Sequence, residues 1–281
     1  MKIGVLGAGT MGNGIAHVFS LYNHNVILVD VGKEILENAL GTIKNNLDRQ
    51  LKKNVINQEI LESSLNNITL STDIKSFEPC QLIIEAIKED LNLKTNIFKN
   101  LDSICNPNAI LASNTSSISI NSLAESTNRQ DKVIGMHFMN PVPIMKLVEI
   151  IKGNKTSVET LNMVKKISQD LDKIPVECND SPGFVSNRIL MPMINEAAHC
   201  FNEGVADASS IDSIMKLGMG HPMGPLKLAD LIGIDVCVYI LNVLYDELND
   251  EKYKPCDILI NMMAKNKLGK KSGEGFYKYE F

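Results

Sequence analysis

Three side chains in this sequence have types and surroundings suited to chemistry on a carbon that bears a hydroxyl: Ser116, His137 and Glu149. An imidazole near its natural pKa takes a hydroxyl proton in one direction and returns it in the other, while a hydride leaves or joins the carbon. A carboxylate such as Glu149 fixes the ring tautomer and stabilises the imidazolium that forms. A serine hydroxyl, with a nearby amide, holds the reacting oxygen, so no metal is needed. Each residue follows or lies in a strand-like run. Ala112-Ser113-Asn114-Thr115-Ser116-Ser117 extends the run Ile110–Ser113, Gly135-Met136-His137-Phe138-Met139-Asn140-Pro141 extends Val133–Met136, and Met145–Ile150 is a further strand.

To bring them together the chain needs a sheet whose strand ends converge. Strand candidates Ile3–Leu6, Val26–Asp30, Leu82–Glu85, Ile110–Ser113 and Val133–Met136 alternate with amphipathic stretches such as Met11–Tyr22 and Leu91–Cys105. Such alternation implies parallel pairing with crossover helices, a doubly wound α/β sheet whose ligands sit at the strand ends. Lys33–Leu65 reads as one or two exposed helices. After Asn179-Asp180-Ser181-Pro182-Gly183 the strand signals stop and helices separated by Gly/Pro turns follow. The expected organisation is a Rossmann-like domain over residues 1–182 and a smaller all-helical domain over residues 183–281.

The first turn carries a second piece of chemistry. Gly7-Ala8-Gly9-Thr10-Met11-Gly12 fits G-x-G-x-x-G between a strand and a helix. Gly7 permits the tight turn, Gly9 lets a pyrophosphate approach, Gly12 lets helix pack on strand, and the N–H groups around Thr10 and Met11 face the phosphates. Asp30 ends the second strand, 23 residues after Gly7, where a carboxylate binds both ribose hydroxyls. It would repel a 2′-phosphate, and Val31-Gly32 offers no Arg to hold one. NAD is therefore favoured, with NADP left open by the nearby Lys33.

Composition sets the outer bounds. Charged residues at 22% and hydrophobic ones at 44% allow a core of normal size, and a net charge of -5 argues against general nucleic-acid binding. No run of about 18 apolar residues suggests a membrane span, and the start lacks signal-peptide character. The six cysteines lie far apart and form no C-x-x-C pair, so they read as small buried hydrophobes in a reducing cytoplasm, not as disulfides or zinc ligands.

With these motifs in place, the sequence resembles the 3-hydroxyacyl-CoA dehydrogenase family, especially its bacterial 3-hydroxybutyryl-CoA branch, over essentially the whole chain. The resemblance is carried by Gly7–Gly12, Ala112–Ser117, His137–Pro141, Lys146–Glu149, Ser181–Arg188, His221–Pro225 and Gly273–Tyr277. It implies His137 as acid/base, Glu149 as its partner, Ser116 on the substrate's oxygen and Asn187 orienting a thioester-linked substrate. It also implies cofactor contacts from Gly7–Gly12, Asp30, Glu89, Lys94, Ser116 and Asn140, an active site in the cleft between the domains, and a homodimer formed through the helical domain.

Arg49, Lys52 and Lys53 share one helical face. On their own they read as a solvated surface; the resemblance turns Arg49 and Lys53 into a clamp for the phosphates of an acyl-CoA. Two alternatives remain at this level: a dehydrogenase of the same architecture acting on a free hydroxy acid, and a non-catalytic NAD-binding protein. Mere binding would need none of Ser116, His137, Glu149 and Asn187.

Overall fold

The run Ile3-Gly4-Val5-Leu6 is buried throughout and becomes the middle of a sheet. The computed structural model describes residues 1–280 and divides into two compact units, one covering Met1–Asp180 and a second beginning at Ser181.

In unit 1 the strands are β1 (Lys2–Leu6), β2 (Asn25–Val29), β3 (Ile68–Ser71), β4 (Leu82–Glu85), β5 (Ile110–Ser113), β6 (Val133–Phe138), β7 (Leu147–Lys152) and β8 (Ile174–Asn179). They form one sheet in the order β3-β2-β1-β4-β5-β6-β7-β8. The helices are α1 (Thr10–Leu21), α2 (Lys33–Lys52), α3 (Gln58–Asn66), α4 (Leu91–Ile104), α5 (Ile120–Glu125) and α6 (Val158–Asp170). The chain winds outward from β1 in one direction and from β4 in the other. The strand order reverses between these two neighbours, which is where such sheets bind ligands. Continuous apolar runs such as Leu82-Ile83-Ile84 fit strands covered on both faces by helices.

One pairing departs from the expectation of parallel strands. β6 and β7 run antiparallel, because the eight residues between them (139–146) hold no crossover helix and a parallel return needs a dozen or more. β7 and β8, separated by α6, are parallel again. The segment read as exposed helices forms α2 and α3; α2 buries Leu36, Ala39, Ile43 and Leu47, half-buries Leu40 and Leu51 beside them, and exposes most of its charged residues.

Unit 2 is helical: α7 (Ser186–Asn202), α8 (Ala208–Met219), α9 (Pro225–Ile232), α10 (Ile234–Leu248) and α11 (Asp257–Ala264). Met191, Ile194, Ala198, Leu226, Cys237, Leu241, Leu244 and Leu259 make its core. Two carboxylates fasten the chain's last segment to this core. Asp230, fully buried, accepts from the Phe276 and Tyr277 backbone N–H groups and the Tyr279 hydroxyl, and Asp212 accepts from the Tyr277 hydroxyl at 2.7 Å. Gly275 is required there, since a Cβ would lie 2.0 Å from Asp230 Oδ1. Among the described residues no single helix is long and apolar enough to cross a membrane.

Candidate active site

The glycine loop leaves β1 and enters α1, and its three glycines have distinct surroundings. Gly7 has a φ of 98°, in the left-handed region, and a Cβ would meet the Ala86 carbonyl oxygen at 2.6 Å. A Cβ on Gly12 would fall 1.7 Å from the Gly7 carbonyl oxygen, so close packing of helix on loop needs its absence. Gly9 is different: nothing lies within 4 Å of the position a Cβ would take. Its lack of a side chain serves no contact within the protein and keeps open the space that a pyrophosphate would enter. No side chain caps the start of α1 and no acidic residue stands in its first turn, so the helix presents its first N–H groups and positive end to an anion. Asp30 follows β2 and accepts from Ala8 N–H on Oδ2 and Val31 N–H on Oδ1, both at 2.7 Å. Each carboxylate oxygen keeps accepting capacity for a ribose hydroxyl. These residues fit a dinucleotide.

His137 and Glu149 face each other directly across the β6–β7 ladder. The pairing places both side chains on one face of the sheet, and His137 Nδ1–H donates to Glu149 Oε2 at 2.8 Å. Both groups are about nine-tenths buried or more, at 9% and 4% exposure. Asn114 ties the neighbouring loop in: its Oδ1 accepts from Phe138 N–H at 2.9 Å, and its own N–H donates to the Glu85 carbonyl. The loop after β5 is thereby held beside the strand that carries His137. Asn140 is exposed just beyond β6 and joined to Pro141 through a cis peptide.

Ser116 lies in that loop next to an acidic network that the sequence reading covered only in part. Glu89 Oε1 accepts from the Ser116 and Ser117 N–H groups at 3.0 and 3.1 Å, from the Ser117 hydroxyl at 3.0 Å, and from the Thr115 hydroxyl. Glu89 Oε2 receives the Lys94 ammonium at 2.9 Å, and the same ammonium reaches Glu85 Oε1 at 2.8 Å. Burial pushes the Glu89 carboxyl up, but the Lys94 charge and the donors from Thr115 and Ser116 outweigh it and hold it below the usual range. Burial likewise pulls Lys94 down, while Glu85 and Glu89 outweigh it and raise it. Glu85 was not singled out from the sequence; the available signal was an acid closing an otherwise apolar buried strand.

The strand ends of unit 1 thus gather the glycine loop, Asp30, Glu89, Lys94, Ser116, Asn140, His137 and Glu149. Arg49 and Lys53 are exposed at the C-terminal end of α2, where basic side chains also suit the helix dipole. Asn187 belongs to unit 2, buried in the first turn of α7, with its N–H on the Gly183 carbonyl.

Comparison with known proteins follows the same division. Residues 2–181 match the family model for the NAD binding domain of 3-hydroxyacyl-CoA dehydrogenase, and residues 183–279 match that family's C-terminal domain. The chain is 50% identical to a probable 3-hydroxybutyryl-CoA dehydrogenase of Deinococcus radiodurans, over 99% of this chain and 100% of the relative. It is 47% identical to the 3-hydroxybutyryl-CoA dehydrogenase of Clostridioides difficile, over 99% of each chain. Its structure resembles that of the (S)-3-hydroxybutyryl-CoA dehydrogenase from Ralstonia eutropha with a TM-score of 0.96 and 45% identity, covering 100% of this chain and 99% of the other. With both domain models matched in order along almost its whole length, the chain belongs to the 3-hydroxyacyl-CoA dehydrogenase family.

Proposed function

We propose that the protein interconverts (S)-3-hydroxybutyryl-CoA and acetoacetyl-CoA with NAD, using His137 as acid/base and Glu149 as its partner. The observation that carries this reading is the buried His137–Glu149 hydrogen bond at the strand ends that also hold the glycine loop. With Nδ1–H engaged by a carboxylate, the neutral imidazole carries its lone pair on Nε2. In the oxidative direction Nε2 takes the C3 hydroxyl proton, and the carboxylate stabilises the imidazolium that results. In the reverse direction Nε2 returns the proton to the carbonyl oxygen. Bound NAD supplies the hydride acceptor, or as NADH the donor. Ser116 holds the reacting oxygen, and Asn187 orients the thioester. Gly7, Gly9, Thr10, Met11, Gly12, Asp30, Glu89, Ser116 and Asn140 hold the cofactor; Lys94, at 1% exposure, is too enclosed for the direct contact expected of it and acts through Glu89. Arg49 and Lys53 clamp the coenzyme A phosphates, supplying positive charge in a protein of net charge -5.

The proposed organisation is an NAD domain over 1–182 and a helical domain over 183–281 that pairs with a second copy. In support of pairing, unit 2 exposes large apolar side chains on several helices, among them Ile189, Ile214, Leu217, Met219 and Leu231. The proposed location is the cytoplasm, which agrees with six free thiols. The direct test is spectrophotometric: purified protein should consume NADH on addition of acetoacetyl-CoA. Unchanged NADH absorbance would remove the proposal. Light scattering at micromolar concentration checks the dimer, and a mass of one chain would remove that part alone.

A further inference from the structure

Lys94 stands in the first turn of α4, where a cation opposes the helix dipole, and it is 1% exposed. Both circumstances disfavour an ammonium, and what compensates them is the pair of carboxylates on either side. Glu85, itself fully buried, gathers three donors at the end of β4. These are Ile87 N–H at 2.7 Å and the Lys94 ammonium at 2.8 Å on Oε1, and the Ser113 hydroxyl at 2.6 Å on Oε2. Glu85 pairs in register with Leu6 of β1 on one side and with Ser113 of β5 on the other. It therefore sits at the reversal of strand order, behind the loop that carries Ser116 and without a position in that loop.

From Glu85 two routes reach the turn: a short one through the Ser113 hydroxyl, which accepts from Thr115 N–H at 3.1 Å, and one through Lys94 that ends on the Ser116 and Ser117 N–H groups. Lys94 is shared between Glu85 and Glu89, and the whole Thr115–Ser117 turn curls around Glu89 Oε1. Glu89 thus stands between the turn and Lys94, and Lys94 is drawn toward both Glu89 and Glu85. We propose that Glu85 is a positioning residue for Ser116, acting through Lys94 and Glu89 as a buried carboxylate–ammonium–carboxylate relay; its effect on turnover rests on the dehydrogenase reading above. Neutralising Glu85 as glutamine leaves Lys94 an amide acceptor there and makes Glu89 its only charge partner of the two. The Glu89 carboxylate then swings toward Lys94 and releases the Ser116 and Ser117 N–H groups.

The test is Glu85→Gln in the full-length protein, combined with Ser116→Ala in a double-mutant cycle on acetoacetyl-CoA reduction. A small displacement of a substrate-holding group costs on the order of 10- to 100-fold in rate, so Glu85→Gln should lower kcat by that factor. The double variant should then fall no further than about 2-fold below the weaker single variant, because both changes remove one function. Amide hydrogen exchange supplies a readout independent of turnover. In the free Glu85→Gln protein, exchange at Ser116 and Ser117 should rise about 10-fold or more, while the β1 amides stay as in the wild type. Multiplicative losses in the cycle, or unchanged exchange at Ser116 and Ser117, would overturn the relay. Should Glu85→Gln fail to fold, Glu85→Asp, which keeps the charge but draws the carboxylate back from Lys94, is read by the same two measurements. A wild-type protein inactive on acetoacetyl-CoA would sink the proposed reaction instead, and exchange would still judge the relay.

Discussion

Replacing His17 by leucine should change the pH dependence of stability by an amount that the structure fixes. His17 lies on α1, fully buried, and neither ring nitrogen has a hydrogen-bond partner among the described residues. Burial, with a smaller contribution from the Lys173 ammonium, pulls its pKa from 6.5 down to about 4. Because the folded-state value is depressed, the unfolded chain takes up a proton below about pH 6.5 that the folded chain refuses until about pH 4. Stability is therefore intact above pH 6.5 and is lost progressively as pH falls toward 4. At 1.36 kcal/mol per pKa unit the full loss is about 3 kcal/mol, of which about 2 kcal/mol has gone by pH 5. Leucine has a similar size, does not titrate and leaves no buried N–H unpaired. His17→Leu should be at least as stable as the wild type at pH 7.5, and its advantage should grow by about 2 kcal/mol at pH 5.0. Urea unfolding followed by far-UV circular dichroism at the two pH values measures this, with the difference taken at each pH so that other titrating groups cancel. An advantage equal at both pH values, within about 0.5 kcal/mol, would show that the ring is not buried in its neutral form as argued.

Other substitutions separate roles within the site. His137→Gln should lower kcat by about 100- to 10,000-fold with NADH affinity near wild type, and Glu149→Gln by a smaller factor, in steady-state assays with acetoacetyl-CoA; normal turnover by His137→Gln would remove it as the base. Gly9→Ala should melt like the wild type yet weaken NADH binding in a fluorescence titration, since its Cβ enters only open space, whereas Gly12→Ala should lower the melting temperature because its Cβ strikes the Gly7 carbonyl. Arg49→Glu combined with Lys53→Glu should raise KM for acetoacetyl-CoA about 10-fold or more and leave kcat within about 2-fold, as expected for binding lost equally in ground and transition states.

Much of unit 1 was legible because fully buried strands carry dense β-branched signals. Leu82–Glu85 and Ile110–Ser113 coincide with β4 and β5. β3 and β8 were not found, for a physical reason. Both lie at the sheet edges with exposed or half-exposed residues, and β8 contains Pro175, which an edge strand tolerates and a sequence reading takes as a break. Spacing alone left the direction of β7 undecided, although the short 139–146 segment held the clue. His137 and Glu149 could be named from residue type, but their facing register required the ladder itself. His17 was passed over because an imidazole among Ile15, Val18 and Phe19 gives no sequence signal of how completely it is enclosed.

The antiparallel ladder has a consequence for how this protein tolerates change in length. His137 and Glu149 meet only because backbone hydrogen bonds set them opposite, and side chains alternate faces along a strand. One residue inserted or deleted between Leu147 and Glu149, or between Val133 and His137, would turn one member of the pair toward the far side of the sheet. The same insertion among residues 139–146 would leave the two strands in step. Heritable length variation near the facing pair is thus channelled into the connecting turn, which also carries Asn140, so that turn can diverge while the His137–Glu149 contact stays fixed.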